Sequence, residues 1–197
     1  MALARIVPYD PEWPRQFDAS RSTFVGSWGD RRVLGRLARR IDHIGSTAVP
    51  GLAAKDVIDV QVSVAALEPE GALVAPLGAA GFVPHTIDRD HRPPGRDGPA
   101  ADWAKRLMVE APGRRRLNLH LRVDGRPNQR YPLLFRDYLR AHTEAATSYA
   151  TLKRRLAELS LDTGVYADIK DPVTDLIVVA AEEWAARTGW RPGPSDG

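Results

Sequence analysis

The stretch that most constrains the fold runs from His43 to Val64, HIGSTAVPGLAAKDVIDVQVSV. Its second half, Val57 to Val64, alternates β-branched residues with polar ones, which is the pattern of a half-buried strand. By the period of two, Asp59 and Gln61 point to the same side of that strand. The first half contains Gly45-Ser46-Thr47, small residues that favour a tight turn. The stretch therefore predicts a turn that leads into a strand of a sheet.

A Gly-Ser turn ahead of a strand that carries a carboxylate is suited to holding phosphates beside a hard cation. Backbone N–H groups of such a turn can bind an anion, and the carboxylate of Asp59 suits Mg²⁺. Lys55 adds a positive charge between turn and strand. The same residues also fit a second interpretation, in which the turn caps a helix and Asp59 is a solvated side chain. Spacing alone leaves both open.

Composition excludes several classes of protein. The absence of cysteine excludes disulfides, a thiolate nucleophile and Cys-ligated metal. The chain shows neither a run of ~20 apolar residues nor a secretory signal, so we expect a cytoplasmic protein without a membrane partner. The net charge of +3 comes from dispersed arginines. That dispersion argues against nucleic acid as the partner and suits a small anionic molecule.

Along the chain, the patterns predict one domain over residues 1–190 and a disordered tail over 191–197. The fold class is α+β, with a mixed-sheet core over residues 41–123 and a helical region over residues 127–187. In chain order we expect a helix from Trp13, a helix over Arg31 to Arg40, a strand over Ile41 to Ile44, a helix over Leu67 to Ala80, a strand over Phe82 to Ile87, a loop over Asp88 to Asp102, and an antiparallel pair of strands over Lys105 to Glu110 and Arg115 to Val123.

Two further patterns concern side chains that face each other in the fold. In the strand over Arg115 to Val123, leucines alternate with polar residues, and we expect its His120 on the same sheet face as Asp59. In the last helix, an inward stripe is predicted for Val173, Leu176, Ile177, Ala180 and Trp184. Arg136 and Asp137 are interpreted as a pair on a helix surface.

Three motifs resemble the GrpB family, in that family's order and spacing. They are HIGSTAVPGLAAKDVIDVQVSV, LNLHLRV and PLLFRDYLRAHTEAATSYATLKRRLA. The resemblance runs from about Ile6 to Trp184. The chain is also similar to the C-terminal domain attached to dephospho-CoA kinases in some actinobacteria, through AKDVIDVQVSV and RVDGRPNQR, although it contains no Walker A motif.

The resemblance implies a nucleotidyltransferase-like fold, a mixed sheet flanked by helices. In that superfamily three acids bind divalent metal, which bridges the nucleotide phosphates. Asp59 matches the first acid, Gln61 stands at the second position, and His120 is the best candidate for the third. Asn118 replaces the first His of the family's HLH strand, and Lys170 matches the lysine of its Tyr-x3-Lys pattern. The departures at positions 61 and 120 put the usual two-metal site in doubt.

Two functional hypotheses follow. The first is a nucleotidyltransferase-like enzyme that uses a nucleoside triphosphate, with Mg²⁺ or Mn²⁺ as the candidate metal and Asp59 and His120 as catalytic and metal-binding residues. The second is a catalytically inactive module that binds a nucleotide, a CoA-type ligand, a protein partner or a second copy of the chain. In either hypothesis the predicted phosphate-binding residues are His43, Gly45, Ser46, Thr47, Lys55, Asn118, Arg122 and Lys170.

Overall fold

The structure, a computed structural model, describes residues 3–25, 34 and 37–196. It contains five strands and five α-helices within those ranges. The strands are β1 (Ala38–Ile44), β2 (Ile58–Val64), β3 (Phe82–Pro84), β4 (Lys105–Glu110) and β5 (Leu117–Val123). The helices are α1 (Trp13–Val25), α2 (Gly71–Ala79), α3 (Pro127–Ala141), α4 (Thr143–Glu158) and α5 (Thr163–Thr188), with 3₁₀ turns at Ser46–Ala48 and Ala100–Trp103.

The strands form one mixed sheet in the order β1-β2-β5-β4-β3. β2 and β5 are parallel, whereas the other neighbours are antiparallel. In the β2–β5 register, Asp59 lies opposite Asn118 and Gln61 lies opposite His120. The predicted mixed sheet, the antiparallel β4–β5 pair and the C-terminal helical region are confirmed.

The two faces of the sheet differ in character, as the alternation in β2 and β5 predicts. One face is apolar and packs against α1 and α2 through residues that are almost entirely buried, among them Trp13, Phe17, Val60, Val62, Leu77, Leu119 and Leu121. The other face is polar and is covered by α3, whose Gln129 bonds to Gln61 and Ser63 of β2. The polar face therefore lies inside the protein and not toward bulk solvent.

Several boundaries differ from the sequence prediction, and proline explains two of them. The helix expected from Leu67 begins at Gly71, because Pro69 lacks an N–H and restricts the residue before it. The strand expected to reach Ile87 ends at Pro84. The predicted helix over Arg31 to Arg40 is wrong at its end, since residues 38–40 belong to β1; residues 31–33, 35 and 36 lie outside the described residues.

Residues 191–196, the tail for which the sequence predicts disorder, lie beside β1. The Ser195 hydroxyl accepts from the Ile41 N–H at 2.8 Å and donates to the Ile41 carbonyl at 2.7 Å. The Asp196 carboxylate accepts from the His43 N–H at 3.0 Å. β1 is an edge strand, whose outer backbone groups have no neighbouring strand, and these contacts satisfy them.

Two helix residues predicted from periodicity lie elsewhere. Arg136, expected on a surface, is buried, and its guanidinium contacts Asp137 at 2.7 Å, the His43 carbonyl at 2.9 Å and Asp196 at 2.9 Å. Leu176, expected to face inward, is 70% exposed. Within the described ranges, no helix combines the length and apolar content that a bilayer crossing needs.

Candidate functional site

A cavity of about 860 Å³ lies between the polar face of the sheet and the C-terminal helices. It is lined by every predicted site residue except His43, namely Gly45, Ser46, Thr47, Lys55, Asp59, Asn118, His120, Arg122 and Lys170. The prediction that His120 shares a sheet face with Asp59 is confirmed by a distance of 3.4 Å between His120 Nε2 and Asp59 Oδ1. The cavity has two ends. The sheet end contains Asp59, Asp90, His120 and Arg122, and the turn end contains Ser46, Lys55, Lys153 and Lys170.

Asp59 is held at the sheet end by neutral hydrogen-bond donors. Its Oδ1 accepts from the Asn118 amide at 2.8 Å. Burial alone would raise the pKa of Asp59, but the hydrogen bonds from His120 and Asn118 outweigh burial and hold that pKa below its usual value. Asp59 is therefore an anion at neutral pH.

His120 is neutral, and its contacts define its tautomer. Burial, followed by the charge of Arg122, lowers the pKa of His120 to about 4. Arg122 Nη2 lies 3.3 Å from His120 Nδ1 and can only donate, so Nδ1 accepts and Nε2 carries the hydrogen that faces Asp59. His120 thus acts as a hydrogen-bond donor to Asp59.

At the sheet end, Asp90 pairs with the remaining charged side chains. The sequence prediction missed Asp90. Arg122 makes a bidentate contact to the Asp90 carboxylate at 2.8 Å for both bonds, and Lys105 Nζ contacts it at 2.7 Å. These cations hold the pKa of Asp90 well below its usual range despite its burial. The available signal was that Lys105 and Arg122 share the polar face and need an acid. Four aspartates in the predicted loop could have supplied it.

Both polar atoms of the Gln61 side chain are hydrogen-bonded within the protein and are not available to a metal. Its Oε1 accepts from Arg122 at 2.9 Å, and its Nε2 donates to the Gln129 carbonyl at 3.0 Å. Both ring nitrogens of His120 are also engaged. Among the described residues there is no cluster of three or more metal-ligating side chains. The donors around Asp59 therefore do not fit a resident Mg²⁺ or Mn²⁺ held as in the three-acid site that the family resemblance implies.

The turn end contains a buried lysine that the sequence prediction also missed. Lys153 of α4 donates to Ser46 Oγ at 2.8 Å, and its Nζ lies 4.6 Å from the centroid of the Tyr149 ring. Burial, followed by the charges of Lys170 and Arg154, lowers the pKa of Lys153 to about 7. The signal was present in the sequence, because Lys153 falls on the inward stripe that contains Tyr149 and Leu156.

Two more lysines complete the turn end. Lys55 Nζ lies 4.0 Å from the centroid of the Tyr166 ring, and burial followed by the charge of Lys170 lowers the pKa of Lys55. Lys170 contacts Asp171 at 3.1 Å. In the part of the chain that the structure describes, neither Lys55 nor Lys153 forms an ion pair with a carboxylate. The turn end therefore differs from the sheet end in having lysines that are not paired with an acid among the described residues.

Gly45 joins the two ends of the cavity. Its φ of 71° and ψ of −169° belong to a region that only glycine adopts readily. A Cβ at this position would lie 2.5 Å from Asp59 Oδ2. The close approach places the start of the turn directly against the carboxylate of β2.

His43 is outside the cavity because of the β1–β2 register. It pairs with Val60 and shares the apolar face of the sheet. Its ring stacks on Phe17 at a centroid distance of 4.8 Å, and its Nε2 lies 3.0 Å from Thr47 Oγ1. Burial lowers the pKa of His43 to about 4. The contact between His43 and Thr47 therefore supports the turn from the apolar side of the sheet.

The comparison with known proteins agrees with the fold. The sequence profile of the family described as GrpB protein matches residues 4–179. A dephospho-CoA kinase of Mycolicibacterium paratuberculosis is 38% identical over 205 residues, which cover 97% of this chain and 49% of that protein. The chain thus spans about half the length of the dephospho-CoA kinases it matches.

Two further relatives match over most of their own length. A UPF0157 protein of Halalkalibacterium halodurans is 33% identical over 181 residues, covering 91% of this chain and 83% of that protein. The crystal structure of the conserved protein GrpB from Enterococcus faecalis superposes with a TM-score of 0.70 at 28% identity, covering 91% of this chain and 99% of that one. On this basis the chain belongs to the GrpB family.

Proposed function

We propose that the cavity binds a phosphate-bearing small molecule, a nucleotide or a CoA-type compound, with its phosphate at the turn end. The observation that carries this proposal is that the buried Lys153 and the half-buried Lys55 lack a carboxylate partner among the described residues. A buried charge is costly unless it is paired. A phosphate would supply the missing negative charge and accept hydrogen bonds from the lysines and the turn.

Two features support the choice of ligand class. The cavity is large enough for a ligand of nucleotide size, since small-molecule sites span about 300 to 1,000 Å³. The similarity to half of proteins named dephospho-CoA kinase is the reason for including CoA-type compounds. Asp59 is negatively charged and lies next to the turn, so it repels a phosphate. We therefore place the phosphate of the ligand closer to the lysines than to β2.

The experiment is calorimetry of ATP and CoA without metal, on wild type, Lys55→Met, Lys153→Met and the control Arg155→Met. Each lysine substitution should weaken binding by about 1 to 3 kcal/mol, because it removes a charge-assisted contact. Arg155 is exposed on the same helix as Lys153, so its variant should bind as wild type does. If wild type binds neither compound at millimolar concentration, the proposal is wrong and a protein-interaction module becomes the leading hypothesis.

Nucleotidyl transfer is the second candidate function. The observation that favours it is Asp59, an ionised carboxylate on the cavity beside the Gly45–Thr47 turn. The test is pyrophosphate release from nucleoside triphosphates with Mg²⁺ or Mn²⁺, with Asp59→Asn as the variant that should abolish release. Binding without metal together with no release would retain the binding function and reject the transferase.

A further inference from the structure

The turn end of the cavity brings a serine hydroxyl and a lysine amine within hydrogen-bond distance of each other. Lys153 Nζ lies 2.8 Å from Ser46 Oγ, although the two residues are 107 positions apart in the chain. Lys153 is buried, whereas Ser46 is half-buried and lines the cavity. A hydroxyl at a cavity surface with an amine in contact is the arrangement of a serine nucleophile and its general base.

Both members of this pair are fixed by neighbouring side chains. Ser46 belongs to a 3₁₀ turn, and the next residue of that turn, Thr47, has its Oγ1 3.0 Å from His43 Nε2. Lys153 extends from α4, and its Nζ lies 4.6 Å from the centroid of the Tyr149 ring. The nucleophile is therefore placed by the turn and the base by a packed helix, which is the preorganisation that a reaction between them needs.

The surroundings of Lys153 disfavour its charged form. Burial, followed by the charges of Lys170 and Arg154, lowers the pKa of Lys153 to about 7. Within the described parts of the chain, no carboxylate pairs with Lys153 to oppose this shift. The neutral amine, which can accept a proton, is therefore populated near neutral pH, where a general base is most effective.

We propose that Ser46 is a nucleophile, with Lys153 as its general base, that accepts the acyl group of an acyl phosphate. The choice of an acyl phosphate rests on the proposed function, which places a phosphate at the turn end. In such a compound the carbonyl carbon is joined to phosphorus through the bridging oxygen. A phosphate beside the lysines therefore brings the carbonyl carbon next to Ser46 Oγ.

The first step forms an ester on Ser46. Ser46 Oγ attacks the carbonyl carbon, and Lys153 Nζ takes the hydroxyl proton. The bond between the carbonyl carbon and the bridging oxygen breaks, and the phosphate leaves with the electron pair and receives the proton from Lys153. Lys55 and Lys170 also line the cavity, and the charge of Lys170 acts on both Lys55 and Lys153. These ammonium groups balance the charge of the leaving phosphate.

The second step releases the acyl group as a carboxylic acid. Water attacks the ester carbonyl, Lys153 takes a proton from that water, and Ser46 Oγ leaves and regains the proton. Attack at carbon is favoured over attack at phosphorus by the residues of the sheet end. Phosphoryl transfer relies on metal ions that bridge the phosphates, and the side chains around Asp59 do not fit such an ion.

The first measurement follows p-nitrophenolate release from p-nitrophenyl acetate, an activated ester without a phosphate. Wild type should give a burst of about one p-nitrophenolate per chain, because the acyl-enzyme accumulates. Ser46→Ala should remove the burst, and Lys153→Met should slow it by at least about 100-fold. Ser148→Ala is the matched control and should retain the burst, because Ser148 is exposed on α4. A burst that persists in Ser46→Ala, or its absence from wild type, would overturn the proposal.

The second measurement identifies the group that is transferred. Wild type is mixed with acetyl phosphate, quenched in acid and analysed by peptide mass spectrometry. An acetyl group should be found on Ser46 in wild type and should be absent from that position in Lys153→Met. A phosphoryl group on Ser46, or acetylation there that does not depend on Lys153, would contradict the mechanism.

A third measurement tests the base without turnover. The chain contains no cysteine, so the thiol of Ser46→Cys is unique. Next to Lys153 this thiol should react with iodoacetamide at lower pH than the thiol of Ser148→Cys does. Adding Lys153→Met to Ser46→Cys should remove the difference. Equal pH profiles for Ser46→Cys and Ser148→Cys would reject the dyad.

These results are separable from the test of the proposed function, because p-nitrophenyl acetate carries no phosphate. A burst that depends on Ser46, in a chain that binds neither ATP nor CoA, would retain the dyad and reject an acyl phosphate as its substrate. Binding of ATP or CoA without such a burst would retain the phosphate site and reject the dyad.

Discussion

The two ends of the cavity both contain buried charge, yet they differ in how that charge is matched. At the sheet end, Asp90 receives three charge-assisted bonds from Arg122 and Lys105. Asp59 also has hydrogen-bond donors there. At the turn end, Lys153 has a hydroxyl and an aromatic ring as its neighbours.

This difference separates the part of a polar cavity whose charges stabilise one another from the part whose charges need a ligand. A network whose charges are paired within the chain contributes rigidity, and removing one member leaves the others buried and unpaired. A buried cation without an acidic partner lowers the free energy of unfolding until an anion binds next to it. Substitutions at the sheet end should therefore lower the stability of the fold. Replacing Lys153 at the turn end should weaken binding and raise the stability of the ligand-free chain near pH 7.

The largest effect is expected for Asp90→Ala. The substitution leaves Lys105 and Arg122 buried without their acid, and we expect a loss of about 3 to 5 kcal/mol in the free energy of unfolding. Urea denaturation measures it. Asp88→Ala is the control, because Asp88 is exposed and its carboxylate forms a surface ion pair with Arg89. This variant should have the same denaturation midpoint as wild type. A small loss for Asp90→Ala would mean that the sheet end is not a matched network.

A smaller effect, specific to the turn end, concerns Lys153 and pH. The pKa of Lys153 is about 7 in the folded chain, below the ordinary 10.5. Between these values the unfolded chain binds more protons, so the stability of wild type should rise with pH. The contribution of Lys153 is at most about 1.4 kcal/mol per pH unit.

The measurement is urea denaturation of wild type and Lys153→Met from pH 7 to pH 9.5. Subtracting one curve from the other isolates Lys153, because Lys55 and Lys105 also have lowered pKa values and contribute equally to both. The variant should be more stable than wild type at pH 7, and the difference should shrink as pH rises. Parallel curves would show that Lys153 is not a buried cation without a partner.

The smallest effect tests the glycine that joins the two ends. Gly51→Ala should cost about 1 kcal/mol, because Gly51 has a φ of 77° but open space around it. Gly45→Ala should cost about 2 kcal/mol, because its backbone region is more restricted and its Cβ would meet Asp59. Thermal unfolding measures both. Equal costs would mean that the contact between the turn and Asp59 is loose.

The polar residues that β2 and β5 contribute to the cavity could be predicted from the sequence, and the omissions have a common cause. The alternation in β2 and β5 correctly placed Asp59, Asn118, His120 and Arg122 on one face. His43 was predicted to be a phosphate-binding residue but lies on the apolar face, because its place depends on the β1–β2 register, which the residues of β1 alone do not specify. Leu176 was assigned to the inside because α5 is apolar on more than one side, so its periodicity could not show which side faces the protein.

By itself, the sequence determined the strands, their two faces, the helical region and membership of the GrpB family, since these depend on local periodicity and on motifs. Only the tertiary structure decided that Asp90 reaches Arg122, 32 residues away, and that Lys153 reaches Ser46, 107 residues away. A buried charged group needs a partner, but which residue becomes that partner depends on how elements distant in the sequence pack. That arrangement paired the charges of the sheet end within the chain and left Lys55 and Lys153, at the turn end, without a carboxylate partner among the described residues.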